Sequence, residues 1–407
     1  MKGFRKYFWN VAPRGGDSAQ AGRIRKQTEK QEKAKEYLAL LEEVQGKMYP
    51  VNADLPFFSP SAGKRKQKIL FNRHIPHLNY LFAETPFRLA LFNLFSLPKF
   101  VFIWGLHYSK SKVKVLRFAR RHNIPVCVIE DGFLKSARTS VAHSKRGVAP
   151  KYLQGVAFVI DNQGLYIDAH RPSRLETMLN DENLVITEAQ KERARKLITK
   201  IVETHLTKYN HQPIIVPKIG RPGVKKVLVI DQSYGDASIG QGLGRDKTFE
   251  DMLRAAIDEN PDADIIVKTH PDTMAGAGGY YTGLKAQGNV YTMTTAINPI
   301  CLTQYADKVY VCTTQLGMEA LMCGKEVHVF GMPFYAGWGL TQDRQQCSRR
   351  KTKRTLEELF YISYILYCHY IDPRTKKRCE IEDAIDYLLE LRKEYFEEYG
   401  VKNELTE

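Results

Sequence analysis

Two adjacent carboxylates, Glu130 and Asp131, close an apolar run at 126–129 and are followed at once by Gly132. Acids that leave a strand at a turn can present a carboxylate as nucleophile or general base in glycosyl chemistry, where developing oxocarbenium character calls for a nearby negative charge. The same pattern also fits a helix cap, with Asp131 accepting backbone N–H groups of the next turn. A second apolar run opens at Asp231 into Gln232-Ser233-Tyr234-Gly235-Asp236-Ala237-Ser238, a loop of glycine and small hydroxyls through which backbone N–H groups can approach a phosphate. It is neither a P-loop nor a dinucleotide fingerprint, because no Gly-Lys-Ser/Thr follows and no G-x-G-x-x-G spacing occurs. Lys268 and His270 follow the core of a third run, with Pro271 stopping it, so both can serve a phosphate or a carboxylate.

Thr313, Thr314 and Gln315 end a fourth run and begin a helix whose unpaired N–H groups and hydroxyls would cradle an anion. Glu319 lies about one turn further on, either as a ribose ligand or as an ordinary exposed glutamate of a capped helix. A fifth run ends in Gly331-Met332-Pro333-Phe334-Tyr335-Ala336-Gly337-Trp338-Gly339-Leu340-Thr341, where aromatic faces beside small residues suit a sugar or base platform.

The elements that must carry these residues alternate between two kinds. Short apolar runs rich in Val and Ile predict strands over 101–106, 126–130, 227–231, 264–269, 308–312 and 327–330, separated by amphipathic stretches of helical length. Buried strands interleaved with helices form parallel sheets in an α/β protein, and ligands of such sheets bind beyond the strands' carboxyl ends. A polar helical stretch runs from 159 to 226 and breaks at His211-Gln212-Pro213 and Gly220-Arg221-Pro222-Gly223, which predicts a boundary between two sheet-centred halves. Helices are predicted near 356–369 and 381–399 at the end of the chain. No DxD-like motif follows a strand, and His, Cys and carboxylate spacings offer no zinc or magnesium site, so no metal is expected.

The 407 residues predict two or three domains with a core that needs no staple. Stretches around 89–108 are broken by Lys99 into pieces too short to span a bilayer, which needs about 20 residues. With no secretory signal pattern at the N-terminus and seven cysteines lacking a CxxC, a cytoplasmic protein is expected. Sixty-one Lys and Arg stand against 45 Asp and Glu, a net charge of +16 that favours anionic partners. Residues 1–70 hold 15 basic and 7 acidic side chains, half of the excess. Arg344, Arg349, Arg350, Lys351, Lys353 and Arg354 form a second basic cluster with no acid between them, and both clusters read as patches. Phe4, Tyr7, Phe8 and Trp9 interleave with Lys2, Arg5 and Lys6, either a segment for an anionic membrane interface or a frayed basic terminus. A charged helix is predicted over 21–45 with Tyr37, Leu38, Leu40, Leu41 and Val44 on its late turns, then a Pro/Asn/Ser/Gly-rich linker at 49–63.

Taken together, Glu130-Asp131-Gly132-Phe133-Leu134-Lys135-Ser136, the 231–238 loop, Lys268-Thr269-His270-Pro271-Asp272, Asn298-Pro299, 313–321 and 331–341 resemble the bacterial capsular polysaccharide β-Kdo transferases. Family members include chains with two such modules in tandem, whereas this chain carries one; Lys135 stands where Arg is common. The resemblance implies a retaining glycosyltransferase of GT-B-like architecture, two Rossmann-like parallel-sheet domains facing a cleft, with CMP-β-Kdo as donor substrate, no cofactor, and a glycan or glycolipid acceptor. It implies Asp131 as nucleophile, Glu130 as the neighbour that handles the acceptor proton, and His270 beside them. Gln232, Gly235, Asp236, Ser238, Lys268, His270, Thr313, Thr314 and Gln315 would hold the phosphate or the sugar carboxylate, and Glu319 the ribose. The expected domains are 1–67 (basic arm and helix), 68–222 (acceptor and catalytic), 223–345 (CMP-sugar binding) and 346–407 (C-terminal helices). An anionic membrane surface at the inner face of the inner membrane and capsule assembly or export proteins are the further partners implied. A nucleic-acid-binding protein, argued from a pI near 9.3, lacks any familiar motif, and a non-catalytic export scaffold would not need the acids and the histidine.

Overall fold

A computed structural model describes residues 32–33, 36–41, 43, 80–82, 100–139, 147–269 and 278–404. The aromatic and basic residues 1–12, the linker at 49–63, His270, Pro271 and Asp272 lie outside the described residues. The strands in chain order are β1 Tyr80–Phe82, β2 Phe100–Trp104, β3 Val126–Asp131, β4 Ala157–Asp161, β5 Lys226–Ile230, β6 Asp264–Lys268, β7 Val290–Met293, β8 Lys308–Val311, β9 Glu326–Val329, β10 Gln342–Asp343, β11 Cys368–Asp372 and β12 Lys377–Cys379. Each strand expected from an apolar run is present within two residues of its expected ends. The chain divides into two compact units, one taking in 72–130 and 160–165 and the other 131–159 and 166–407.

In the first unit β1, β2 and β3 pair in parallel, with Val101 opposite Val126 and Trp104 opposite Ile129. The helix Lys110–Arg121 is the crossover between β2 and β3. Ser109 caps its N-terminus by accepting from the Lys112 N–H at 3.2 Å, and Val115, Leu116 and Ala119 form its buried stripe. Tyr37, Leu40 and Leu41 of the predicted charged helix are buried, and Glu36 and Glu43 reach Arg117 and Arg120 at 3.1 and 2.9 Å. Those ion pairs are exposed and add little; the apolar face does the anchoring.

In the second unit β5 to β10 form a sheet of order β10-β9-β8-β5-β6-β7, parallel throughout. The buried Val, Leu and Ile of β5, β6 and β8 are its core, covered by helices such as Asp246–Glu259, which buries Phe249, Met252, Leu253 and Ala256. The chain moves outward from β5 through β6 to β7, then resumes on the other side of β5 with β8. The strand order therefore reverses between β5 and β8, the place where open α/β sheets form a ligand crevice.

The C-terminal segment differs from the expected pair of helices. The helix Leu356–Phe360 continues as a π-helical stretch, Tyr361–Tyr367, and the chain then turns into β11 at Cys368. Cys368 and His369 are strand, because β11 pairs antiparallel with β4, Cys368 opposite Val159 and His369 opposite Phe158, and β12 closes a hairpin on it. The apolar sequence around 359–368 has no Gly or Pro to mark that change.

His369 stacks on Phe158 with ring centroids 5.5 Å apart, and burial together with Arg174 and Arg378 lowers its pKa to about 3. An unfolded histidine titrates near 6.5, so below that pH the unfolded chain binds a proton the folded chain refuses. Stability is thus complete above about pH 6.5 and is lost as pH falls toward 3, by up to about 1.4 kcal/mol per pH unit for this one group. His369→Phe keeps the stacking and removes the titration. Urea midpoints measured at pH 6.5, 5.5 and 4.5 should fall less steeply for His369→Phe than for the unsubstituted protein; equal slopes would refute the assignment.

Candidate functional site

The turn after β3 is built on a glycine. Gly132 donates its N–H to Ala157 O at 3.0 Å, and a Cβ there would stand 2.6 Å from Cys368 Sγ and 2.7 Å from Ala157 Cβ. Only glycine lets the chain pass so close to β4 and β11. The side chain of Asp131, 15% exposed, forms an ion pair with Lys135, whose side chain is 8% exposed. No helix starts among the described residues that follow to Thr139, so Asp131 is not the helix cap that its sequence also allowed. Burial disfavours the Lys135 ammonium, yet Asp131 outweighs it with help from Tyr209, and its pKa is raised. Lys135 lies 5.5 Å from the centre of the Tyr209 ring, and its N–H donates to Lys208 O at 3.2 Å. Tyr209 is a site neighbour that sequence reasoning did not single out, and in the sequence Lys135 stands out only as a lysine where Arg is common.

Glu130 belongs to the first unit, where its Oε2 lies 2.9 Å from where a Cβ on Gly105 would be. His107 flanks the same glycine, and the buried Lys112 ammonium sits 3.3 Å from His107 Nδ1 while donating to Gly105 O at 3.2 Å and His107 O at 3.1 Å. Glu130, on β3, therefore shares the surroundings of Gly105, just past β2, with a cation and an imidazole, neither of which the sequence flagged.

Gln232, Ser238 and Thr313 meet at the crevice between β5 and β8. Thr313 N–H donates to Gln232 Oε1 at 2.9 Å, Gln232 Nε2 donates to Thr313 Oγ1 at 3.1 Å, and Ser238 Oγ is 3.1 Å from the same hydroxyl. Asp236 is an N-cap, accepting from Ser238 N–H at 2.9 Å, and Gly235 supplies the positive φ of +80° that the turn before it needs. Lys268 is buried at the end of β6, donating to Thr269 O at 2.8 Å. Burial lowers its pKa to about 8 and raises that of Asp231, at the end of β5, to about 6, each partly offset by the other's charge. Asp231 accepts the N–H groups of Gln232 and Tyr280 at 2.9 Å each and so braces the crevice floor.

Gln315 does something the sequence did not suggest: its Nε2 donates to Phe133 O at 2.8 Å, tying the start of the helix Leu316–Met322 to the Asp131 turn. Thr314 carries the Tyr335 hydroxyl on its carbonyl at 2.6 Å. Glu319 is buried, not the exposed glutamate of an ordinary capped helix; burial pushes its pKa up to about 7 against a hydrogen bond from the Lys208 backbone. The aromatic loop is likewise not a platform. Phe334, Tyr335 and Trp338 are buried, with Phe334 at 4.5 Å from Phe133 by ring centroids and Trp338 Nε1 donating to Phe334 O at 2.8 Å. These rings set the loop's shape from inside.

The second basic cluster is mostly consumed within the unit. Arg349 and Arg350 converge on buried Glu176 at 2.6 and 3.1 Å, Arg354 donates to Leu179 O at 2.9 Å and Asp181 O at 2.6 Å, and Arg344 pairs with Glu259 at 2.5 Å. Arg349, Arg350 and Arg354 of the expected patch thus form a clamp, since desolvated guanidinium groups need planar acceptors and here find them, while Arg344, Lys351 and Lys353 are exposed. Among the described residues there is no cluster of three or more potential metal ligands, and no helix is long and apolar enough to cross a membrane.

Residues 99–219 and 217–371 match the family described as capsule polysaccharide biosynthesis protein. The capsule polysaccharide modification protein LipA of Neisseria meningitidis serogroup A is 38% identical over 349 residues, 83% of this chain and 46% of LipA. The lipopolysaccharide-processing protein LpsZ of Rhizobium meliloti is 35% identical over 78% of this chain and 68% of its own length. The chain thus spans about half the length of the LipA relatives it matches. Among solved structures, Thermosulfurimonas dismutans KpsC, a β-Kdo 2,4 transferase, superposes with a TM-score of 0.66 at 36% identity, over 77% of this chain and 98% of that one. The β-Kdo 2,7 transferase of the same organism's KpsC gives 0.56 at 26% identity. Mixed α/β with Rossmann-like parallel sheets of the GT-B glycosyltransferase kind is accordingly the fold class. From matched family, relatives and fold alike, the chain belongs to the capsule polysaccharide biosynthesis proteins.

Proposed function

We propose that this protein is a retaining β-Kdo transferase of capsule biosynthesis that takes its sugar from CMP-β-Kdo. The observation that carries the reading is the Asp131–Lys135 ion pair on a glycine-built turn, joined through Gln315 and Phe133 O to the loop after β8. A carboxylate held at a strand end next to a nucleotide-type crevice suits double displacement. Asp131 would attack the anomeric carbon as CMP departs, and an acceptor hydroxyl would then displace the resulting ester, restoring the original configuration. Glu130, the chain neighbour of Asp131 on β3, is the candidate to take the acceptor proton. The crevice between β5 and β8, with Gln232, Ser238, Thr313 and Thr314 and with Lys268 at the end of β6, is the proposed CMP site. Incubation of the purified protein with CMP-β-Kdo and a panel of Kdo-terminated synthetic acceptors tests the reading. A mass gain of one Kdo on any acceptor supports it, and release of CMP with no acceptor or protein modified argues against it.

The donor site has its own test. Thr314→Val removes a hydroxyl at the crevice while keeping volume and the backbone carbonyl that Tyr335 uses. Loss of a hydrogen bond to a charged phosphate is worth about 1.5–3 kcal/mol, so CMP affinity measured by calorimetry should fall roughly ten- to a hundred-fold. Unchanged affinity would remove Thr314 from the site.

A further inference from the structure

We propose that Lys135 is the cation that reads the sugar's carboxylate, passing from Asp131 to the donor during the reaction; this rests on the nucleophile reading above. Lys135 is a buried ammonium paired with the Asp131 carboxylate and lying over the Tyr209 ring, 5.5 Å from its centre. A buried cation with a single strong anionic partner is costly to strip. Double displacement does strip it: a carboxylate oxygen of Asp131 bonds to the anomeric carbon, the bond from that carbon to the CMP phosphate oxygen breaks with its electron pair going to CMP, and the Asp131 side chain becomes a neutral ester. A 2-ulosonic acid carries its own carboxylate on that same anomeric carbon. The moment Asp131 loses its charge, a second carboxylate therefore arrives one bond from the new ester, within reach of the same ammonium. In the second half, the acceptor oxygen bonds to the anomeric carbon, its proton goes to a base, the ester bond breaks, and Lys135 regains Asp131. An aldose has no carboxylate there and would leave Lys135 unpaired in the intermediate. Lys135 thereby selects 2-keto sugar acids as a class and lowers the barrier to the ester.

Among the described residues, the charged and titratable groups facing Lys135 are Asp131 on its own turn and Lys208 and Tyr209 on the neighbouring segment. Lys208 is repulsive and cannot substitute for a counter-ion, so the sugar carboxylate is the partner that fits.

Rapid-quench intact-protein mass spectrometry with CMP-β-Kdo and no acceptor follows formation of the ester. Lys135→Met should slow it about a hundred-fold, Lys135→Arg should recover most of that rate because it restores a cation, and CMP affinity should stay within about three-fold of the unsubstituted protein. In competition with the donor, 2-deoxy-Kdo should be preferred over its C1 amide by the unsubstituted protein, and Lys135→Gln should lose that preference. Ester formation at the original rate in Lys135→Met, or an undiminished preference in Lys135→Gln, overturns the role of Lys135 alone. Full turnover by Asp131→Ala overturns the nucleophile reading instead, so the two failures are distinguishable. If Lys135→Met fails to fold, the Gln variant and the amide comparison still decide.

Discussion

Asp131→Ala and Asp131→Asn are expected to lower Kdo transfer by at least about three orders of magnitude, the usual cost of deleting a nucleophile from a site that otherwise stays assembled. Loss of activity by itself would not separate chemistry from folding, because either substitution leaves the Lys135 ammonium buried without its partner. Breaking a buried pair from one side typically costs about 3–5 kcal/mol, whereas replacing both partners by apolar groups is close to neutral. Asp131→Ala should therefore melt well below the unsubstituted protein, and Asp131→Ala with Lys135→Met should recover most of that difference and remain inactive. Recovery of turnover along with stability in the double variant would mean that Asp131 holds the turn and does no chemistry. Near-normal turnover in either folded single variant would lead to the same conclusion.

The strands that carry this site could be read from the sequence because each is a short apolar run cut off by polar residues: Val227 to Ile230 before Asp231-Gln232, Ile265 to Val267 before Lys268, Val309 to Val311 ahead of Thr313. Burial on both faces leaves a parallel strand no room for alternation, so the run itself is the signal. β11 gave no such signal. Its Cys-His-Tyr-Ile-Asp follows Tyr361–Tyr367 without punctuation, and its pairing with β4 on one side and β12 on the other makes it a strand. The same divide runs through the site. Asp131, Gln232 and Thr313 were legible because strand ends are where α/β chemistry sits. The partners that surround them were not, since Gln315 meets Phe133 across 182 residues and Lys135 meets Tyr209 across a fold. Composition could not tell an aromatic platform from aromatic core either. In 334–338, burial decides, and the tight fit is plain at Gly317, where a Cβ would lie 2.2 Å from the Tyr335 hydroxyl.

Charge is where linear reading went furthest astray, and Glu176 is the residue that tests the correction. Its carboxylate, almost fully buried, receives Arg349 Nε at 2.6 Å and Arg350 Nε at 3.1 Å. Arg350 has a side chain only 3% exposed, donates to Ala336 O at 2.7 Å and covers the Trp338 ring at 5.5 Å, so the ion pair fastens the helix Arg174–Asn180 to the loop whose Phe334 packs on Phe133. Burial lowers the pKa of Arg350 while Glu176 opposes the shift; a guanidinium stays protonated in a protein, so removing the acid leaves a buried charge without its counter-ion. Glu176→Ala should thus destabilise the protein by about 3–5 kcal/mol in thermal or urea unfolding. Glu176→Gln, which keeps hydrogen-bond acceptance but not charge, should cost less. Adding Arg350→Met to Glu176→Ala should restore part of the loss, since the stranded charge is then gone. Transfer activity should fall with Glu176→Ala as well, because the loop behind Phe133 loses its tether and the turn bearing Asp131 rests on that ring. A surface patch would behave in the opposite way: neutralising an acid beside exposed arginines alters stability by well under 1 kcal/mol. A Glu176→Ala protein with an unchanged unfolding midpoint would return Arg349 and Arg350 to the solvent and reinstate the cluster as a docking surface for anions.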